Sequence, residues 1–211
     1  MLQFSPRNSK LCQVAAFSLV YSSIFGVIIR LGILFGLIIT IILLVTNGSR
    51  NLPLFILSLL GTFLMFEAFY RFKLLRTKPT LHGKEISEKT NLADLISLDL
   101  AKSFLLHPSW STTLDLISLL LTNRKVKFVF SKAGIKPEDL KIAFQTKEDT
   151  ETSTVLQDAL AFAEKQGVTY IDSLSLLCAT FANSKVLTKL LFDRELKLED
   201  LYNIIHWGRT Y

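Results

Sequence analysis

Two uncharged apolar runs, close together and separated by turn formers, constrain this chain of 211 residues more than any other feature. Leu31 to Thr46 reads LGILFGLIITIILLVT, and Ile24 to Ile29 extends it on the other side of Arg30. A second run, Leu52 to Phe66, continues past Glu67 to Tyr70. Each run with its flanks approaches the roughly 20 residues that an α-helix needs to cross the hydrocarbon layer. Between them, Asn47-Gly48-Ser49-Arg50-Asn51-Leu52-Pro53 lets the chain reverse and restart a helix with Pro53 in its first turn. Residues 24–70 therefore read as a transmembrane helical hairpin. A cleaved signal peptide would show one short apolar region, and the second run argues against that.

Basic residues in the short flanks set the orientation. Arg7 and Lys10 precede the hairpin, Arg71, Lys73, Arg76 and Lys78 follow it, and Arg50 stands alone in the turn. This bias places both termini on the cytoplasmic side of the cell (inner) membrane, in a multi-pass protein. Residues 1–23 form an N-terminal cytoplasmic or interfacial segment, and whether Leu11 to Ser23 spans or lies on the bilayer is left open by its mixed composition. Arg30 and Glu67 are the two charges within the apolar runs. In an antiparallel hairpin they come to similar depth near the inner interface, which predicts an intramembrane charge pair rather than a transport pathway.

Charge is unevenly distributed along the chain. Up to residue 90 there are ten basic and three acidic residues, and after it fourteen basic and fifteen acidic. The near-neutral second part is thus expected to carry no electrostatic footprint for a nucleic-acid duplex, which needs clustered Lys and Arg on one surface. At 50% hydrophobic and 20% charged, the chain is too apolar to be disordered. Cys12 and Cys178 form no CxxC pair and read as two reduced thiols. Residues 71–90 mix basic residues with Pro79 and Gly83 and read as a basic juxtamembrane linker resting on anionic headgroups. From 91 to 211 the apolar period is that of soluble helices: Leu156, Ala159, Leu160 and Ala163, then Leu174, Leu177, Cys178 and Phe181, then Leu187, Leu190 and Leu191. The chain is expected to be all-α.

Self-comparison reveals a repeat. Lys132-Ala133-Gly134-Ile135-Lys136-Pro137-Glu138-Asp139-Leu140 recurs 61 residues later as Asp193-Arg194-Glu195-Leu196-Lys197-Leu198-Glu199-Asp200-Leu201. Thr112 to Ile117 matches Asp172 to Leu177 at an offset of 60, and Val126 and Val129-Phe130 match Leu187 and Leu190-Leu191. Two such units can share one core about a pseudo-two-fold, joined by the polar connector Gln145 to Ser153. Thr154 with Gln157 predicts a capping box opening the second unit.

The stretch ALAFA (159–163), Gly167, YIDSLSLLCAT and KVLTKLLFDRELKLEDL resembles one Clp N-terminal repeat, and LISLDLAKSFLLHPSWSTTLDLISLLLTNRKVKFVFSKAGIKPEDLK is similar though looser. The pair covers residues 91 to 205, and its match lies in the order and spacing of helices. With the hairpin, it resembles the N-terminal portion of membrane-tethered, ClpC-like Clp ATPases. The resemblance implies a Clp-N-like double-repeat domain that recruits protein substrates or adaptors for a Clp-type AAA+ unfoldase, with Asp172 and Thr112 as partner-binding positions. The family's histidine is replaced by Ser173 and Thr113, and only the second unit keeps the acid, so the two units are not equivalent for recognising phosphorylated arginine. An acid near a helix start is also favoured by the exposed amides there, so Asp172 carries a structural reading beside the binding one.

Catalytic signatures are missing from the sequence. There is no G-x-x-x-x-G-K-[ST] loop, no HExxH and no GxSxG; His82, His107 and His206 are scattered, and Trp110 and Trp207, accompanied by no basic stripe, fit packing or helix-end roles better than a nucleotide-stacking platform. No enzyme activity, cofactor, metal or nucleic-acid partner is expected. Two alternatives stand: a structural membrane protein whose helical domain mediates homo-oligomerisation, and the N-terminal part of a Clp ATPase whose motor lies beyond Tyr211.

Overall fold

A computed structural model describes residues 3–46, 51–76, 90–107, 109–136, 138–140 and 151–210. The protein is all-α, with no strand among the described residues. Ten helices are described: α1 Lys10–Ser22, α2 Ile24–Thr46, α3 Asn51–Arg76, α4 Leu98–Leu106, α5 Thr113–Leu120, α6 Arg124–Lys132, α7 Thr152–Lys165, α8 Ser173–Ala182, α9 Lys185–Phe192 and α10 Leu198–Thr210. They form two compact units, one of residues 16–78 and one of residues 1–15 with 79–211.

In the first unit, α2 and α3 hold the apolar runs. Gly26–Thr46 and Asn51–Phe69 are both long and apolar enough to cross a membrane. Their side chains are mostly exposed in the isolated chain, as suits helices whose solvent is lipid. Pro53 sits in the first turn of α3, where its missing N–H costs nothing. The helices meet where Gly36 faces the side chain of Leu60, 3.5 Å from where a Cβ would lie. Thr40 satisfies its hydroxyl by donating to the Gly36 carbonyl at 2.8 Å. Between α1 and α2 the chain bends at Ser23, and Gly26 is required there because any Cβ would collide with the Tyr21 carbonyl.

Two sequence boundaries move. Helix α3 runs through Arg76, so 71–76 is helical rather than linker, because Phe72, Leu74 and Leu75 sustain the helical run; 77–89 and the turn 47–50 lie outside the described residues. The N-terminal segment is not one piece. Its first part belongs to the helical unit: Gln3 bridges Asn91, the Ser5 amide donates to Asn91 Oδ1 at 3.0 Å, and Ser9 donates to Asp94 at 2.6 Å. Leu11, Cys12 and Ala15 on α1 are buried in that unit's core.

The helical unit is built around α8, buried along Ser173–Phe181 and surrounded by α5, α6, α7, α9 and α10. A helix enclosed on all sides tolerates no charge, which fits the sequence SLSLLCATFA, and its buried Ser173, Ser175 and Thr180 hydroxyls are each hydrogen-bonded. One core joins both sequence repeats, from Leu100 and Phe104 through Leu116 and Val129 to Leu156, Leu187 and Leu201. Matching positions take matching geometry. Gly134 and Glu195, 61 residues apart, both adopt left-handed backbone at φ 66° and 58°. Ile135 donates to the Phe130 carbonyl at 2.9 Å, as Leu196 does to that of Leu191 at 3.0 Å. Asp139 accepts from the Lys136 amide at 2.8 Å, as Asp200 does from that of Lys197 at 2.8 Å.

The predicted Thr154–Gln157 capping box is not formed. Helix α7 begins three residues earlier, with Glu151 in the N-cap place, and Thr154 turns its hydroxyl to the Glu151 carboxylate instead. Most of the connector from Gln145 lies outside the described residues.

Candidate functional site

The starts of three helices converge on one polar groove of about 520 Å³ in the helical unit. A short parallel bridge sets this up: the Ser97 amide donates to the Ile171 carbonyl and the Ile171 amide to that of Leu95, each at 2.8 Å. It lays the start of α4 beside the start of α8. Ser97 caps α4 by accepting from the Leu100 amide at 3.2 Å, and Asn123 caps α6 by accepting from Lys125 at 2.9 Å. Asn123 also donates its amide to Ser173 Oγ at 2.9 Å, tying the start of α6 to that of α8. The groove wall then carries two carboxylates, Asp99 and Asp172, two cations, Arg124 and Lys125, and the Tyr170 side chain.

Asp172 is the N-cap of α8. Its Oδ1 accepts from the Ser175 amide at 2.8 Å, from Ser175 Oγ at 2.5 Å and from Arg209 Nη2 at 2.8 Å. Arg209 Nη2 also reaches Ser175 Oγ at 2.6 Å. The pair is largely buried, the side chains 14% and 21% exposed for Arg209 and Asp172, and Arg209 Nε and Nη1 are buried without a hydrogen-bond partner. Among the described residues, every hydrogen bond to this carboxylate lands on Oδ1, and Asp172 is one of the residues that line the groove.

Thr112, its counterpart in the first repeat, is also an N-cap. Its hydroxyl accepts from the Asp115 amide and Asp115 accepts from the Thr112 amide, each at 3.2 Å, a complete capping box for α5. Burial alone would push the Asp115 carboxyl up, but hydrogen bonds from Ser109 and Thr112 hold it below the usual carboxylate range. Thr112 does not line the groove, so the structure does not bring it together with Asp172.

In the hairpin unit the structure does bring Arg30 and Glu67 together. Arg30 Nε lies 3.8 Å from Glu67 Oε1, and the same oxygen takes Arg71 Nη2 at 2.7 Å. The Arg30 guanidinium also stacks over the Tyr21 ring, 4.6 Å from its centre. Sequence reasoning missed Arg71 as the second partner, although its i, i+4 spacing from Glu67 was visible. It also missed Arg209, whose signal is a lone cation continuing the buried stripe Leu201, Ile205 of α10.

The groove offers charge and hydrogen-bonding capacity without a nucleophile poised beside a base. Burial pushes the Cys12 and Cys178 thiols up, so both stay protonated at neutral pH. Among the described residues, no group of three His, Cys, Asp or Glu could hold a metal ion. His206 Nδ1 lies 3.0 Å from Gln166 Oε1, away from the groove residues. No protein-family model matches this chain, and no curated protein or solved structure matches it either.

Proposed function

We propose that the helical unit is a non-enzymatic protein-binding module, anchored in the cell membrane by the hairpin with both termini cytoplasmic, that recruits substrates or adaptors for a Clp-type AAA+ unfoldase. The observation that carries this reading is the groove at the junction of α4, α6 and α8, with charges of both signs on its wall, one of which, Asp172, is held by the largely buried Arg209. Mixed charge in a shallow groove suits a polypeptide better than a small apolar ligand, whose sites are mostly apolar. The repeat of backbone geometry between Gly134 and Glu195 and between Asp139 and Asp200 supports a two-unit domain of the Clp-repeat kind.

The test is binding of the full chain, reconstituted in nanodiscs, to Clp-type unfoldases and to their client proteins. Asp99→Asn and Arg124→Gln lie on the groove wall outside the buried pair, and each should weaken capture at least several-fold while leaving unfolding unchanged. A chain that self-associates and captures neither unfoldase nor client would favour the oligomerisation reading. Introduced cysteines answer the topology: Ser49→Cys should react with an impermeant reagent from outside intact cells, and Thr210→Cys should not.

A further inference from the structure

Helix α6 has the sequence RKVKFVFSK, with four cations and no acid. Only Val126, Val129 and Phe130 of it are buried, so Arg124, Lys125, Lys127 and Lys132 all lie on its exposed side. Four of the fourteen basic residues after residue 90 are thus gathered on one helix of nine residues, in a part of the chain that is otherwise acidic. Amid these cations stand two exposed aromatic rings. Phe128 is 36% exposed and Trp207, from α10, 45% exposed, with ring centres 5.9 Å apart. Gly208 makes room for this, because the Phe128 ring packs 3.5 Å from where a Cβ would stand. The Lys132 ammonium lies 5.2 Å from the centre of Trp207 and 5.7 Å from that of Phe128. The acids of α10, Glu199 and Asp200, are in its first turn, at the far end from Trp207.

We propose that this face, α6 with Trp207, docks onto the anionic lipid surface of the membrane that holds the hairpin. Cations ringing exposed Trp and Phe are the chemistry of an interfacial helix: the rings enter the headgroup boundary and the cations meet lipid phosphates. A Trp ring with a polar N–H edge is favoured at that depth. An acidic protein partner would use the cations but would leave the aromatic pair unexplained. A nucleic acid would want a longer basic track than one helix provides. The chain itself supplies the bilayer, since two helices able to cross a membrane lie in sequence between the two segments of this unit. The proposal shares the membrane hairpin and the groove-wall cations Arg124 and Lys125 with the function proposed above, but it is read by lipid contact of Trp207, so loss of client binding alone leaves it intact.

The test uses the full chain in vesicles of phosphatidylcholine, with and without phosphatidylglycerol, carrying brominated acyl chains that quench nearby tryptophan. Trp110 and Trp207 are the two tryptophans of the chain, so subtracting the Trp207→Phe variant isolates the Trp207 signal. The expected result is quenching of Trp207 in the anionic vesicles and far less in the neutral ones. High salt should abolish it, as should Lys125→Gln, Lys127→Gln and Lys132→Gln combined; the matching Lys→Arg triple should retain it, with circular dichroism unchanged in both. Equal quenching in the two lipids, no quenching in either, or full quenching of the glutamine triple would overturn the proposal. Trp207 shielded from acrylamide by polyglutamate but unquenched by anionic lipid would also overturn it, in favour of an acidic polypeptide partner.

Discussion

Arg209, in the last turn of the final helix, donates to the carboxylate of Asp172, which opens the central buried helix, at 2.8 Å. Residues 37 positions apart are thereby locked into one network with Ser175. Asp172 serves the fold twice, as cap and as counter-ion, and it faces the groove as well.

The two partners are not interchangeable. Removing the carboxylate with Asp172→Ala loses the cap, worth about 1 kcal/mol, and strands a buried guanidinium, which by itself costs about 3 kcal/mol. Arg209→Met leaves the cap to Ser175 intact and should cost about 1–2 kcal/mol. The double variant should be more stable than Asp172→Ala alone. Denaturant titration of the full chain in detergent reads all three, and a double variant no better than Asp172→Ala would mean that the ion pair is not what makes Asp172 matter.

In the hairpin, Glu67 serves two guanidinium groups, Arg71 at 2.7 Å and Arg30 at 3.8 Å. Glu67→Gln leaves both without a counter-ion and should lower thermal stability more than Arg30→Gln. Exchanging the charges as Arg30→Glu with Glu67→Arg should recover only part of the loss, because position 67 would then repel Arg71 one turn away. Adding Arg71→Gln should restore more. Melting temperatures in one detergent decide this, and full recovery by simple exchange would remove Arg71 from the account.

These networks show where the sequence was legible and where it was not. The apolar runs, their reversal and the all-α class are local patterns, written in consecutive residues from Leu31 to Phe66 and in the spacing from Leu156 to Phe181. The depth match of Arg30 and Glu67 follows from counting along two antiparallel helices. Arg209 meeting Asp172 depends on how α10 crosses α8, which no period along one helix encodes. The bridge of Ile96 to Ile171, which builds the groove, and the attachment of Gln3 and Ser9 to Asn91 and Asp94 are contacts of the same long-range kind. That the cations of α6 stand beside Trp207 depends likewise on how α10 packs against α6, which consecutive residues do not encode.

The capping box of α5 makes one stability term pH-dependent. Hydrogen bonds from Ser109 and Thr112 hold Asp115 below its ordinary value of 3.8 against the opposing effect of burial. A carboxyl depressed in the folded state stabilises fully above its unfolded value, and that contribution is lost as pH falls through the lower folded value. Stability should therefore decline as acid passes below about pH 4. Thr112→Ala should cost about 1 kcal/mol at neutral pH by removing the acceptor of the Asp115 amide, and should reduce the acid-dependent loss only in part, since the side-chain contribution of Thr112 goes while its backbone amide still donates to the carboxylate. An unchanged acid profile would show that Asp115 gains little from Thr112.

The last prediction joins the two repeats. Gly134 and Glu195 occupy the same place, 61 residues apart, and both hold left-handed backbone, φ 66° and 58°. A residue with a Cβ is disfavoured there by about 1 kcal/mol or more, while glycine gives back part of that through its greater freedom when unfolded. Glu195→Gly should thus stabilise the helical unit by about 0.5 kcal/mol. Gly134→Glu should destabilise it by a similar amount even though nothing lies within 4 Å of where its Cβ would stand, because the obstacle is backbone conformation and not space. Urea midpoints of the two variants should move in opposite directions at constant slope. Movement in the same direction would show that the left-handed turn of one repeat is held by contacts the other lacks.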